Sequence, residues 1–208
     1  MFKNLIMRDI KLAFFTSTSF LFTSSFFLLI LILIPFIFGS EVGLLKIMFQ
    51  GLIWIAMVLS ILLTLTRIFN SDYDDGNLDI IFRSGVSLEL IIYAKYIAYW
   101  ITICMPLIVL VPIVAQLFNY SFVQTFPIVI NLLIGSFGMV FIATCVSALT
   151  LGAKRTAFLK GIIIIPLYIP FIIFGVNSSS WPILIGLSMI SFVVSIYATI
   201  YSLRLYGE

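Results

Sequence analysis

The chain is expected to be an all-α, polytopic membrane protein with six transmembrane helices. Its composition, its apolar runs and the placement of its basic residues lead there. Of the 208 residues, 63% are hydrophobic and only 9% are Asp, Glu, Lys or Arg, with a mean hydropathy of +1.28. Soluble domains are about 45–50% apolar and about 25% charged. So little polar surface cannot cover a water-soluble globule of this size, and the bilayer is the better solvent. The same numbers exclude a disordered chain, a disulfide scaffold and, with a net charge of only +3, a nucleic-acid binder.

A hydrocarbon core of about 30 Å is crossed by about 20 apolar residues at about 1.5 Å each. Six runs of that kind occur: Phe20–Phe38, Ile47–Leu65, Tyr96–Leu117, Pro127–Leu151, Phe158–Phe174 and Pro182–Tyr201. What lies between them is too short for a soluble catalytic domain. Pro127 and Pro182 stand where a helix can start without losing a hydrogen bond. Pro35, Pro106, Pro112, Pro166 and Pro170 fall inside runs. The pair in the fifth run is compatible with a kink, or with a re-entrant hairpin formed with residues 175–181.

Basic residues set the orientation. Lys3, Arg8 and Lys11 precede the first run; Arg67, Arg83 and Lys95 lie in the second interval; Lys154, Arg155 and Lys160 follow the fourth run; Arg204 is in the tail. Only Lys46 falls on the opposite side. The positive-inside rule then puts both termini in the cytoplasm or mitochondrial matrix. The first run is too long for a cleavable signal peptide, and the Gly39-Ser40-Glu41 after it is no small-x-small site. Ahead of it, Phe2, Leu5, Ile6, Ile10, Ala13 and Phe14 recur at helical spacing opposite Asn4, Arg8 and Lys11. That pattern fits an interfacial amphipathic helix over residues 1–18, or a charged extension of the first span.

The interval over residues 67–95 is the one polar stretch. Five of the eight acidic residues, Asp72, Asp74, Asp75, Asp79 and Glu89, crowd into it. An EF-hand is excluded, because counting from Asp72 puts Gly76 fifth rather than sixth and leaves Arg83, not Glu, at position twelve. A turn at Gly76 followed by a two-turn helix fits better, with Asp75 or Asn77 as the cap. Leu78, Ile81 and Phe82 then share one face, while Asp79 and Arg83 pair on the other. This amphipathic peg is either a coupling helix seated in a groove of a soluble partner or a helix resting on lipid headgroups. Ser87 can cap the next helix, and Tyr93, Tyr96, Tyr99 and Trp100 fit an interfacial aromatic belt.

Within the runs the only charged residue is Lys160. Proton pumps and ion-coupled carriers place ionisable groups along their path, so this chain does not look like one. No histidine is present, which removes zincin sites, Ser-His-Asp triads and histidine-ligated haem. Cys104 and Cys145 lie apart in apolar runs and are expected to be buried hydrophobes. Gly135, Met139, Ala143 and Ser147 form a ridge of mostly small residues on the fourth run, suited to helix packing.

The residues that carry a family likeness lie between 51 and 100. Gly51-Leu52-Ile53-Trp54 matches a GxIW element. Arg67-Ile68-Phe69-Asn70-Ser71-Asp72-Tyr73-Asp74-Asp75-Gly76-Asn77-Leu78-Asp79 matches R-x-F-x-x-D-x-x-D-G-x-L-[DE], and Ala94-Lys95 with Tyr99-Trp100 continues it. On these residues the chain resembles the CcmB family, the haem exporter B permeases of the cytochrome c maturation (System I) ABC transporter. Gly152-x-Lys154-Arg155 and the six-span layout extend the likeness over nearly the whole chain. The chain departs from the family pattern at Thr66, where Glu is common, and at Ser84-Gly85-Val86, where many members have proline.

The resemblance implies an ABC-2/exporter-type permease forming one transmembrane domain over residues 1–208, with a cytoplasmic coupling loop at 67–95 and no nucleotide-binding domain. Its partners would be a separate CcmA-like ATPase that binds ATP, CcmC-like and CcmD-like membrane subunits, and a CcmE-like haem chaperone. Haem would be handled as substrate, with no cofactor or metal bound by the chain. The membrane would be the bacterial inner membrane or the mitochondrial inner membrane. In keeping with this, no G-x-x-x-x-G-K-[ST] motif occurs. Asp72, Asp75, Gly76, Leu78, Asp79 and Phe82 are then the expected ATPase contact, with Gly51, Trp54, Arg67 and Phe69 as family-motif residues and no catalytic residue. An intramembrane enzyme using interfacial carboxylates, and a non-transporting assembly scaffold, are the alternatives.

Overall fold

A bilayer leaves no backbone group free, so apolar runs of this length fold as helices. In the computed structural model, which describes residues 6–11, 19–39, 42–65, 68–78, 87–152 and 156–207, six helices are long and apolar enough to cross a membrane. They are Ser19–Phe38, Val42–Thr64, a composite span over Leu88–Phe118, Phe122–Leu149, Thr156–Val176 and Trp181–Gly207. Residues 6–11 are also helical, and no strand occurs among the described residues. Turns after the spans use left-handed residues, Gly39 (φ 65°) after the first and Asn119 (φ 57°) after the third, where glycine and asparagine cost least.

The fourth span is the most enclosed. It runs along the sixth and also touches the second, third and fifth, while the first packs on the second. The ridge expected there is used within the chain: Gly135, Met139, Ala143 and Ser147 are all buried. The first, fifth and sixth spans turn large apolar side chains outward, among them Phe36, Ile37, Ile162, Ile173, Val194 and Tyr197, as lipid-facing surfaces require. The fifth presents a buried stripe, Ile164, Tyr168, Phe171 and Gly175, at helical spacing.

Trp54 is the centre of this packing. Its indole is fully buried and lies where a Cβ on either Gly135 of the fourth span or Gly175 of the fifth would stand. At Gly138 a Cβ would come 2.6 Å from the Phe171 ring and 2.8 Å from the Ser188 backbone, so the fifth and sixth spans close on the fourth there too. Hydrogen bonds fix the same contacts. Tyr168 donates to the Met139 carbonyl (2.8 Å), Ser188 to that of Ile134 (2.8 Å), and Asn131 to those of Asn177 (3.1 Å) and Gly175 (3.4 Å).

Several sequence expectations shift. The third span begins at Leu88, not Tyr96, with Ser87 at its cap position but making no side-chain cap bond. The tyrosines therefore sit inside the bundle instead of forming a belt at its edge. Tyr96 and Tyr99 are buried; Tyr96 donates to the Phe137 carbonyl (3.1 Å), and Tyr99 bonds Thr64 (2.6 Å) and the Ile61 carbonyl (3.1 Å). Inside lipid a phenol is stable only where a neighbouring helix satisfies it. Trp100 donates to Ser136 Oγ at 3.1 Å.

Over Trp100–Cys104 the third span widens to a π-helix, which ends two residues before Pro106 in Met105–Ala115. A proline there lacks the N–H that a regular α-helix needs. The Thr102 hydroxyl donates to the Ala98 carbonyl (2.7 Å) within this rewound stretch. The fourth span starts five residues before Pro127, because Ser121 and Gln124 form a reciprocal capping box. The fifth runs unbroken through Pro166 and Pro170. Its contacts through Tyr168 and Gly175 hold it as one helix, so the re-entrant hairpin does not form.

Replacing Gly135 or Gly175 by Val should drive branched carbons into the Trp54 indole and lower stability by about 3 kcal/mol or more. Gly161 has open space around it, and Gly161→Ala should stay within about 1 kcal/mol of wild type. Thermal denaturation in detergent, followed by size-exclusion, separates the two classes.

Candidate functional site

The polar residues gather at the basic end of the bundle, around a helix that sequence periodicity does not announce. Asn70–Asp74 forms a five-residue helix with Phe69 at its cap position and no side-chain cap bond. Neither its length nor its residues would sustain a helix in isolation, where about 12–15 good formers are needed. It stands because lysines from two spans hold it.

Lys95 of the third span is buried. It donates to the Asp72 carboxylate and, at 3.2 Å, to the Ile68 carbonyl, and its ammonium lies 5.4 Å from the centre of the Phe69 ring. Asp9, from the helical segment 6–11, approaches the same ammonium at 4.0 Å and pairs with Arg8 at 2.9 Å. On the opposite flank, Lys160 of the fifth span is 1% exposed. It donates to Asn70 Oδ1 (2.9 Å) and to Ser147 Oγ (3.2 Å), and Ser147 donates to the Leu65 carbonyl (3.3 Å). The end of the second span, the loop helix and the third, fourth and fifth spans thus meet in one polar layer.

The helix ends in a turn: Asp75 N–H bonds the Ser71 carbonyl (3.0 Å), Gly76 N–H bonds that of Tyr73 (3.1 Å), and Gly76 adopts φ 69°. Glycine takes that left-handed conformation at little cost. Asp74, Asp75 and Gly76 are exposed at this tip, whereas Leu78 is buried against the core.

Of the expected contact residues, the structure therefore places Asp75 and Gly76 on the surface and Asp72 and Leu78 inside; Asp79 and Phe82 lie outside the described residues. Of the motif residues, Trp54 and Phe69 are fully buried, Gly51 is half-buried with open space beside it, and Arg67 lies outside the described residues. No sequence pattern marks Lys95, Lys160, Asn70 and Ser147 as one site. The two lysines are legible only as basic residues near span ends, and nothing in their spacing pairs them with a loop 20 to 90 residues away.

The family described as "CcmB protein" matches residues 1–205. The "Heme exporter protein B" of Bradyrhizobium diazoefficiens is 35% identical, covering 96% of each chain. That of Rhodobacter capsulatus is 33% identical over 82% of this chain and 78% of its own. That of Haemophilus influenzae is 32% identical over 84% and 79% respectively.

Removing one partner of a buried ion pair strands the other charge at a cost of about 3 kcal/mol. Asp72→Asn should therefore lower the detergent melting temperature clearly. The double variant Asp72→Asn, Lys95→Met should regain most of the loss, and Asp75→Asn at the exposed tip should change stability by less than about 0.5 kcal/mol.

Proposed function

The chain belongs to the CcmB protein family, and from that premise we propose that it is the membrane permease subunit of an ABC transporter complex for cytochrome c maturation. The observation that carries this reading is the family match over residues 1–205, nearly the full chain. The relatives' printed names, exporter proteins for haem, supply the substrate class. Within 208 residues there is no P-loop motif, so ATP hydrolysis falls to a separate CcmA-like ATPase and this chain contributes no catalytic residue. CcmC-like and CcmD-like membrane subunits and a CcmE-like haem chaperone complete the complex. Haem is substrate here, moved or released with its chaperone. The bacterial inner membrane, or its mitochondrial counterpart, is the site of action.

In this reading the ATPase engages the exposed Asp75–Gly76 tip and the segment after it, including Asp79 and Phe82. Asp72 and Leu78 serve from within. Asp72 fixes the loop helix to Lys95, and Leu78 seats the start of the next segment against the core. A push on the tip then reaches the third span through a charged contact instead of being absorbed by a slack loop. A coupling element needs that stiffness, since motion is transmitted only through packed or bonded contacts.

The test is co-purification from mild detergent. A soluble ATPase should accompany the tagged wild-type chain, and Asp75→Arg combined with Asp79→Arg should reduce its recovery by about tenfold or more while the folded yield stays unchanged. If no ATPase accompanies the wild-type chain, the permease reading fails. If recovery is unaffected by the charge reversals, these two residues are not in the contact.

A further inference from the structure

Resting on the permease reading, we propose that Lys160 is a positioning residue that ties the loop helix to the fifth span, making that span a driven element of the transport cycle. The loop lies between the second and third spans in the chain, and these give one route into the bilayer. The structure adds a second route: the Lys160 ammonium reaches 90 residues back to Asn70 Oδ1 at 2.9 Å, on the opposite flank of the helix from Lys95.

Two further observations give that contact a purpose beyond packing. First, Lys160 is 1% exposed, and among the described residues no carboxylate lies within ion-pair distance of it. Its partners are two neutral oxygens, from Asn70 and Ser147. A buried ammonium without a countercharge is costly, and an apolar side chain of the same length would suit stability better. Second, the contact is well placed to transmit. Asn70 is the first residue of the loop helix, five positions from the exposed Asp75. Ser147 connects the same ammonium to the Leu65 carbonyl at the end of the second span. Breaking this charge-assisted contact would strand a buried ammonium, so it holds through a cycle. The loop helix is thus tied on both flanks, by Lys95 to the third span and by Lys160 to the fifth.

The experiment reads motion, in the full chain with its co-purified ATPase, by spin-label distances on a Cys104→Ala, Cys145→Ser background. One label pair, Asp74→Cys with Ile162→Cys, spans the tie; a second, Ile162→Cys with Tyr201→Cys, reports movement of the fifth span against the sixth. All three label sites are exposed. Adding ADP with vanadate should leave the first distance narrow and unchanged and shift the second. In Lys160→Met the first distribution should broaden and the nucleotide-driven shift of the second should fall to about half or less, with ATPase recovery unaltered; Lys160→Arg, which keeps a donor, should restore both. Asn70→Ala cuts the same tie from the loop side and should behave like Lys160→Met, so the question remains answerable if Lys160→Met does not fold.

An unchanged shift in Lys160→Met and Asn70→Ala overturns the proposal and leaves the permease reading standing. So does a wild-type chain that binds ATPase but shows no shift of the fifth span. If no ATPase co-purifies at all, the permease reading has failed and this inference falls with it.

Discussion

A charge buried at the edge of a bilayer has to be satisfied by the protein itself, through a countercharge or hydrogen bonds, and the placement of the Lys95 ammonium follows from that constraint. Asp72, the Ile68 carbonyl and the face of Phe69 surround it. All three lie within residues 68–72, from the end of the second span into the loop helix, so satisfying one lysine fixes the path of the chain over several residues. The short helix at Asn70–Asp74 exists because of this, not because its residues favour it. The exposed turn at Asp75 and Gly76 then has a rigid base from which to project.

The hydrocarbon region obeys the same rule with weaker groups. While threonines of the third, fourth and sixth spans bond back to carbonyls of their own helix, Tyr96, Trp100, Asn131, Tyr168 and Ser188 each reach a carbonyl or hydroxyl of a neighbouring segment. Such bonds give a bundle its register where the hydrophobic effect between helices is absent. The aromatic group joining the third, fourth and sixth spans adds shape to this: Tyr96 stacks on Phe141 at 3.7 Å, and Phe141 meets Phe192 edge-on at 4.9 Å. The polar layer at one end and the aromatic layer above it make the third and fourth spans a single mechanical unit.

Much of this architecture can be read from the sequence, because length and apolarity decide spanning almost unaided. All six runs are helices, and the small-residue ridge of the fourth is used for packing. The failures share a cause. A lysine reads as water-facing, which points to a third span starting after Lys95 and to its tyrosines at an interface; tertiary pairing with Asp72 overrides that rule and draws two more helical turns into the bundle. A proline is a strong helix-start signal, so Pro127 outweighs the two-residue capping box at Ser121 in the sequence although the helix begins at the latter. The Asn70–Lys160 contact was illegible, since no local pattern encodes a meeting across 90 residues. Acidic crowding marks the loop over residues 67–95, yet it does not separate Asp72, which is buried, from Asp75, which is exposed.

The seating of Trp54 has a consequence for how such a chain can change over time. One indole occupies volume that two other helices vacate by carrying glycine at Gly135 and Gly175. A larger residue at either glycine is excluded while the tryptophan stays, and a smaller residue in its place leaves a hollow that two glycines cannot fill. The viable alternatives lie several simultaneous substitutions away, across intermediates that pack badly. Three positions far apart in sequence are therefore inherited as one unit, and a chimera that takes its second span from one relative and its fourth and fifth from another has to match them as a set.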